Sequence, residues 1–274
     1  MSDSVLFAAH NRPDAAAQLL FMHHAGGSSY SYMQLAQKMS DSIEVFCLEL
    51  AGRGSRFLDP LTADAEVTLG EIMNAIERLG LGRHKPLMIC GHSLGAELAY
   101  QTAHRLRREA PEMRLGVMLS ARGYIDPIDL RGRPRESLSD DDILRLLEQY
   151  EGTPPEVLAD PELRAYVIGV MRNDLTLLAA LAGMPKPPLD VQAYIAGGDC
   201  DSRVPVPRLA GWGRAFAAPL TQRVFTGGHF YLFADTNVVP WIEAQVGELA
   251  QLQAQPLSLG ELPESAAMNW GDRI

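Results

Sequence analysis

The pentapeptide Gly91-His92-Ser93-Leu94-Gly95 is the most restrictive feature of the sequence. The apolar run Leu87–Cys90 precedes it, and a pattern with helical spacing, Leu94–Arg108, follows it. A Gly-x-Ser-x-Gly motif between a buried strand and a helix is typical of a sharp turn that exposes its serine as a nucleophile. Such a serine has a strained backbone, and a side chain at either glycine would collide with the strand or the helix. The motif therefore predicts that Ser93 is a nucleophile.

Short apolar runs alternate with helical patterns along the chain and predict the strands of a mostly parallel sheet. These runs are Leu19–Ala25, Val45–Leu50, Leu87–Cys90, Leu115–Ser120, Val191–Ala196 and Arg223–Phe225. The helical patterns cover Val67–Leu79, Leu94–Arg108, Arg208–Ala217 and Val239–Leu252. Strands that alternate with helices are joined by parallel crossovers, so we expect an α/β fold with a doubly wound sheet and helices on both faces.

One connection is much longer than a crossover needs, since about 70 residues separate Ser120 from Val191. Helical patterns at Asp140–Tyr150, with Ser139 as its N-cap, and at Pro161–Leu181 lie within it. We interpret residues of about 126–186 as a helical lid, inserted over the carboxyl edge of the sheet where ligands of such sheets bind. Residues 1–250 then form a single domain, and residues 251–274, which are rich in Pro, Gly, Ser and Glu, form a C-terminal tail.

Composition excludes several classes of protein. The 34 acidic and 24 basic residues give a net charge of −10, which repels nucleic-acid backbones. An odd count of cysteines without paired spacing excludes a disulfide framework or a structural zinc site: Cys47, Cys90 and Cys200. No apolar run approaches the roughly 20 residues that span a bilayer, and the N-terminus lacks the pattern of a secretory signal. We expect a cytoplasmic protein, a monomer, that binds neither nucleic acid nor membrane.

A serine nucleophile needs a base and an acid, and both follow later strand-like runs. His229 lies in a Gly-Gly-His-Phe segment after the last run, which satisfies the order serine, acid, histidine. Asp199 and Asp201 both follow the preceding run. The acid commonly lies a few residues past the strand and ahead of a small apolar residue, here Val204, so we assign Asp201 as the acid that orients His229. Asp199 is then expected to stabilise the turn.

Two backbone N–H groups are expected to form the oxyanion hole. One is the amide of Leu94, directly after the nucleophile, and the other is the amide of Ala25, in the glycine-rich segment His23–Ser29. The adjacent histidines His23 and His24 do not predict a metal site. Neighbouring side chains of an extended segment point to opposite faces, and no further ligands accompany them.

Beyond these residues, the sequence resembles the stand-alone type II thioesterases of polyketide and nonribosomal peptide assembly lines, from about Leu19 to about Leu249. The resemblance is carried by His24–Ser28, Leu50–Arg56, Gly91–Ala96, Gly152–Leu158, Met171–Leu175 and Gly227–Phe230. It implies the α/β-hydrolase fold and hydrolysis of acyl groups from the phosphopantetheine arm of carrier proteins, mainly to clear stalled or misprimed thioesters. It also implies the triad Ser93, Asp201 and His229, the oxyanion donors Ala25 and Leu94, and no metal or cofactor.

Carrier proteins are usually acidic, so docking to an acidic chain needs a local basic patch. The candidates for that patch are Arg53 and Arg56, after the second predicted strand, and Arg131, Arg133 and Arg135, at the start of the lid. Arginine suits the phosphodiester of the carrier arm through its planar fork of donors. An ordinary solvated cluster of charges is the alternative.

Other functions remain open at this point. The same triad serves a soluble carboxylesterase or an acyltransferase that passes the acyl group to an amine or alcohol. A more remote alternative is a non-catalytic binding protein with a hydrolase fold. Hydrolysis of an acyl-carrier substrate, compared with hydrolysis of a simple ester, separates these possibilities.

Overall fold

The computed structural model describes residues 5–124, 138–149 and 153–251, and within them one sheet of seven strands. The strands are β1 (Leu6–His10), β2 (Ala17–Met22), β3 (Ile43–Leu48), β4 (Leu87–His92), β5 (Leu115–Ser120), β6 (Gln192–Gly198) and β7 (Thr221–Phe225). Their order in space is β1-β3-β2-β4-β5-β6-β7. The pair β1–β3 is antiparallel and all the other neighbouring pairs are parallel. The predicted mostly parallel, doubly wound sheet is confirmed.

Strand β1 is the strand that the sequence analysis missed. It is an edge strand in which Leu6 is buried and the other residues are partly or fully exposed, and its pairing with β3 shifts register between Ala8 and His10. In contrast, every residue of β2, β3, β4 and β5 is buried. Strands covered by helices on both faces have continuous apolar sequences and are easily predicted, whereas a partly exposed edge strand has only a weak apolar pattern.

The helices of the described residues are α1 (Tyr30–Ala36), α2 (Ala65–Leu79), α3 (Leu94–Glu109), α4 (Asp140–Gln149), α5 (Pro155–Ala159), α6 (Pro161–Gly183), α7 (Val206–Leu209), α8 (Tyr231–Ala234) and α9 (Val238–Gln251). Tight 3-10 turns cover Gly54–Arg56 and Ala210–Ala215. The helix expected over residues 208–217 is therefore wrong as one element, since it is divided between α7 and a 3-10 turn.

Alternate side chains of the central strands enter two separate cores, one on each face of the sheet. On one face Leu20 and Ile89 pack with residues of α2 and α3, such as Leu69. On the other face Leu19 and Met88 pack with residues of α1 and α9. The sheet is thus enclosed on both faces, and its carboxyl edge remains available for a site.

Helices α4, α5 and α6 lie between β5 and β6, where the lid was predicted. A third apolar cluster joins α4 to α6 and contains Leu138, Ile143, Leu146, Leu147, Ile168, Met171 and Leu175. Helix α4 begins as predicted at a cap, because the amide of Asp142 donates to Ser139 Oγ at 3.2 Å. Residues 125–137, 150–152 and 252–274 lie outside the described residues, so the bounds of the lid and the tail stay predictions.

Helix α6 corrects one expectation from the sequence. Among the described residues, α6 is the one helix that is long and apolar enough to span a membrane, by length and composition alone. The sequence itself shows no continuous apolar run of that length. In the folded chain 44% of its most apolar stretch is buried. Leu177, Leu178 and Leu181 belong to the same core as α3. Packing inside the protein accounts for the apolar residues between Ile168 and Leu181 of α6.

Candidate active site

Ser93 occupies the turn between β4 and α3, where its backbone has φ 56° and ψ −110°. A positive φ is unfavourable for a residue with a side chain, so surrounding contacts must stabilise it. A Cβ at Gly91 would lie 1.9 Å from the carbonyl oxygen of Gly95. A Cβ at Gly95 would lie 2.0 Å from the carbonyl oxygen of Met22. Both glycines are required by close backbone contacts, as the motif predicts.

Asp201 and His229 form a hydrogen-bonded pair in the loops after β6 and β7. His229 Nδ1 lies 2.8 Å from Asp201 Oδ2, and Asp201 Oδ1 accepts from the amides of Arg203 and Val204 at 2.9 and 3.1 Å. Burial of Asp201 opposes its ionisation, but the bond to His229 and the two amides outweigh it and lower the pKa of the carboxyl group. An ionised Asp201 accepts a hydrogen bond from Nδ1–H, which leaves Nε2 as the basic nitrogen of His229.

Asp199, the competing acid, makes a different contact. Its side chain is exposed, and Oδ1 accepts from the amide of Gly227 at 2.9 Å. It therefore joins the loop after β6 to the loop that carries His229. The structure brings Asp201, and not Asp199, into contact with the His229 ring.

The three predicted triad residues follow β4, β6 and β7 at the carboxyl edge of the sheet. The ring of His92 connects the serine turn to the histidine loop, because its centroid lies 5.2 Å from that of His229. His92 Nδ1 lies 2.8 Å from Ser120 Oγ, and burial lowers the pKa of His92 well below its ordinary value. His92 is therefore a neutral packing residue.

The two predicted oxyanion donors lie on segments that meet at the same point. Leu94 is the first residue of α3, and the first N–H groups of a helix have no acceptor within the helix. Ala25 is half-buried in the loop after β2. The end of β2 lies tightly against the start of α3, since no side chain fits between Gly95 and the Met22 carbonyl group. The loop that contains Ala25 therefore begins directly beside the serine turn.

The adjacent histidines in this loop are neutral. Burial is the main cause that lowers the pKa of His23 to about 4 and that of His24 to about 3. His23 Nδ1 donates to the carbonyl oxygen of His24 at 2.8 Å, and Nε2 accepts from the amide of Leu50 at 3.4 Å. The ring of His24 packs on Phe230 with centroids 4.8 Å apart. Both side chains are structural parts of the loop.

The docking role predicted for Arg53 and Arg56 is wrong, because both side chains are buried and paired. Arg53 is 3% exposed and binds Asp174 of α6. Arg56 is 7% exposed and binds Glu71 and Asp59. Guanidinium groups that are already paired with carboxylates inside the fold cannot present charge to a partner. The other candidates, Arg131, Arg133 and Arg135, lie outside the described residues.

Asp174 is a site residue that the sequence analysis did not single out. The segment Met171–Leu175 served there only as one of the stretches that resemble a known family. The side chain of Asp174 is fully buried, and Arg53 and the amide of Gly26 both donate hydrogen bonds to it. A charged residue between the apolar Met171 and Leu175 of α6 was the available signal, because an ionised group on a buried helix face needs a buried partner.

A family described as "Thioesterase domain" matches residues 17–246. The chain belongs to this thioesterase family. Thioesterase PikA5 of Streptomyces venezuelae is 28% identical over 223 residues, which are 81% of this chain and 78% of that protein. The medium-chain S-acyl fatty acid synthase thioesterase of Rattus norvegicus is 27% identical over 251 residues, which are 86% of this chain and 89% of that protein.

Solved structures agree with the sequence relatives. The type II thioesterase BorB from the borrelidin biosynthetic cluster is 26% identical and superimposes with a TM-score of 0.74, over 90% of this chain and 97% of BorB. The α/β-hydrolase fold and the resemblance to type II thioesterases, both predicted from motifs, are confirmed. The chain is therefore a thioester hydrolase.

Proposed function

We propose that this thioesterase removes acyl groups from the phosphopantetheine arm of carrier proteins, with Ser93, His229 and Asp201 as its catalytic triad. The observation that carries the proposal is the 2.8 Å hydrogen bond between a buried Asp201 and His229, together with a serine held at positive φ at the same edge of the sheet. Nucleophile, base and orienting acid in this arrangement are the components of covalent acyl transfer. Clearing stalled or misprimed acyl chains is the role that fits a relative from a biosynthetic cluster.

In the first half-reaction, Ser93 Oγ attacks the thioester carbonyl carbon while His229 Nε2 accepts the hydroxyl proton. The amides of Ala25 and Leu94 donate to the oxyanion, and each such donor contributes about 10²–10³-fold in rate. The C–S bond then breaks, His229 returns the proton to the pantetheine thiolate, and the acyl group stays on Ser93. Water repeats the sequence on the acyl-enzyme and releases the carboxylic acid.

The neighbouring histidines favour this cycle by staying neutral. His24 and His92 enclose the site near His229, and the pKa of each lies far below 7 because of burial, with the charge of His229 as a further cause. The positive charge that forms on His229 in each half-reaction therefore faces no second imidazolium. Asp201, whose pKa is lowered, stabilises that charge directly.

We propose acyl carrier or peptidyl carrier proteins as the partners, in the cytoplasm, with the enzyme acting as a monomer without metal, cofactor or nucleic acid. BorB supports carrier proteins as partners, since it is a type II thioesterase from a biosynthetic cluster, and PikA5 supports the cleavage of thioesters, since it is named a thioesterase. The burial of α6 within the fold is consistent with a protein that does not insert into a membrane.

Intact-mass analysis of carrier proteins loaded with a series of acyl groups tests this proposal. Wild-type protein should return the carrier with its arm but without the acyl mass, and should release the free acid; Ser93→Ala should not. Faster cleavage of a simple aryl ester than of acyl-carrier would favour a carboxylesterase. Acyl transfer to an added amine or alcohol, in place of water, would identify an acyltransferase. No turnover of any of these would support a binding protein.

A further inference from the structure

A buried ion pair connects the lid to the body of the protein. Asp174 lies on α6, and both of its carboxylate oxygens accept from Arg53, at 2.6 Å from Nη1 and 2.7 Å from Nη2. Arg53 lies just before a 3-10 turn in the segment after β3. Both side chains are almost or fully inaccessible to solvent. Paired hydrogen bonds between a guanidinium and a carboxylate define the relative position of the two groups in both distance and angle.

The same pair holds the loop that contains Ala25. The amide of Gly26 donates to Asp174 Oδ2 at 2.8 Å, and Arg53 Nη1 donates to the carbonyl oxygen of Gly27 at 3.1 Å. Gly26 has φ +75°, so the backbone turns sharply between these two contacts. One N–H and one C=O of the turn directly after Ala25 are therefore fixed by charged side chains from elsewhere in the fold.

Packing against α6 reinforces these hydrogen bonds. A Cβ at Gly26 would lie 2.9 Å from Cε of Met171, so α6 lies directly on the loop. Met171 and Asp174 are three residues apart and share one face of the helix. A cavity of about 180 Å³ adjoins this contact and is lined by the glycines of the loop, by Arg53 and by Val170 of α6. The lid thus meets the loop at the edge of an open space beside the candidate site.

We propose that Asp174 and Arg53 are positioning residues that hold the Gly26–Gly27 turn, and through it the Ala25 amide, in the geometry of the oxyanion hole. The chemical step then requires α6 to be packed on the loop, so that lid position and transition-state stabilisation are coupled. This inference rests on the proposed function, in which Ala25 donates to the oxyanion.

The electrostatics of the pair support a positioning role. Burial opposes ionisation of both groups, yet each partner outweighs it, so that the pKa of Asp174 is lowered and that of Arg53 is raised. Both groups are charged in the folded protein. A buried ion pair adds little net stability relative to well-packed apolar residues, so conformational specificity is the better reason for its presence. A displacement of about 1 Å in a catalytic group can reduce the rate by about 100-fold.

Two variants and one control test the proposal. Asp174→Asn keeps the size of the side chain but removes its charge and one acceptor. The double variant Arg53→Met with Asp174→Leu replaces the buried pair with apolar groups, which restores stability where a single change would leave one buried charge unpaired. Asn173→Ala is the matched control: Asn173 also connects α6 to the body, but through a 3.0 Å hydrogen bond to the carbonyl oxygen of Thr62 and not to the loop.

Three measurements on folded protein separate positioning from stability. They are kcat and KM for a small acyl-thioester that needs no carrier docking, the affinity for its uncleavable amide analogue, and the rate at which a fluorophosphonate labels Ser93. We expect kcat and the labelling rate of both variants to fall by about 100-fold. KM and the affinity for the amide analogue should change by less than about threefold, and the control should stay within about twofold of wild type on all three measurements.

Other results overturn the inference. Retention of kcat within about threefold in either folded variant, or a loss confined to KM, would show that the pair does not position the oxyanion hole. Recovery of activity together with stability in the double variant would assign the pair to stability alone. Failure of the proposed function is recognised separately, because wild-type protein would then not hydrolyse the thioester, or Ser93→Ala would still do so.

Discussion

Two buried carboxylates orient groups of the site, and different parts of the chain hold them. Asp201 lies in the loop after β6; its acceptors are filled by amides two and three residues away and by His229, 28 positions along the chain. Asp174 lies on the lid; its partners Arg53 and Gly26 are 121 and 148 positions away. The triad pair is therefore built by loops of neighbouring strands, whereas the oxyanion loop depends on a contact between lid and sheet. The triad pair can form with the sheet and its loops alone, whereas the oxyanion loop needs the lid in place.

The largest expected effect is common to both regions, because both act on the reaction of one hydroxyl group. Ser93→Ala should lower kcat for acyl-thioester by about 10⁴-fold or more, since it removes the nucleophile and adds no bulk. The thermal unfolding midpoint should not fall, because a half-buried serine at positive φ is replaced by a smaller side chain. Turnover within a few-fold of wild type in purified Ser93→Ala would show that Ser93 is not the nucleophile. Neither Asp201 nor Asp174 would then act on its reaction.

The next effect distinguishes the two acids of the β6 loop. Asp201→Asn should lower kcat by about 10³–10⁴-fold, because the amide no longer selects the His229 tautomer or stabilises its cation. Asp199→Asn is the control, since Asp199 bonds the loop at Gly227 and Cys200 and not the His229 ring. Its kcat should remain within a few-fold of wild type. A reversed ranking, measured on the same small thioester, would make Asp199 the triad acid and contradict the observed pairing.

The same comparison explains what the sequence could predict. Ser93, Asp201 and His229 each follow a strand, and the apolar runs of the sequence predict these strands. The carboxyl ends of parallel strands lie at one edge of a sheet, so the topology brings the three residues together. The choice between Asp201 and Asp199 needed only the local register of one loop. The buried strands were predicted for the same reason, since continuous apolar runs are strong signals.

The contacts between lid and sheet could not be predicted in this way. Arg53 and Arg56 have the composition of a basic surface patch, and nothing local in the sequence shows that Asp174 or Glu71 neutralises them. Such pairs depend on how α6 and α2 pack on the sheet, which is set by tertiary contacts far apart in the chain. The edge strand β1 escaped prediction for a related reason, because its pattern reflects pairing with β3 and not its own periodicity.

We expect acid to destabilise the loop after β2 that contains His23 and Ala25. Burial, with the nearby Arg53 cation, lowers the pKa of His23 from about 6.5 to about 4. Between these values the unfolded chain binds a proton that the folded chain does not, so stability is present above pH 6.5 and is lost as the pH falls towards 4. From pH 7 to 5 this one residue should contribute about 2 kcal/mol to the loss in free energy of unfolding.

His23→Gln tests this expectation, because glutamine can still donate and accept a hydrogen bond but does not titrate. Urea denaturation at pH 7 and pH 5 should show that the loss on acidification is smaller in the variant than in wild type by about 2 kcal/mol. His84→Gln, at an exposed histidine, is the control and should reproduce the wild-type loss. Equal losses in wild type and His23→Gln would show that His23 does not make the loop sensitive to acid.

The smallest expected effect concerns the carrier protein. Arg131, Arg133 and Arg135 remain candidates for docking after the burial of Arg53 and Arg56 removed the other two. Their reversal to Glu should raise the apparent KM for acyl-carrier several-fold at moderate salt, where charges act over about 10 Å, and the effect should shrink as salt is added. Because docking precedes chemistry, hydrolysis of a small acyl-thioester should be unchanged.

Variants at Arg53 should behave in the opposite way and lose kcat on both substrates, since a buried group that positions the oxyanion loop acts after either substrate is bound. An equal loss on both substrates after reversal of the three lid arginines would instead assign them to the structure of the lid.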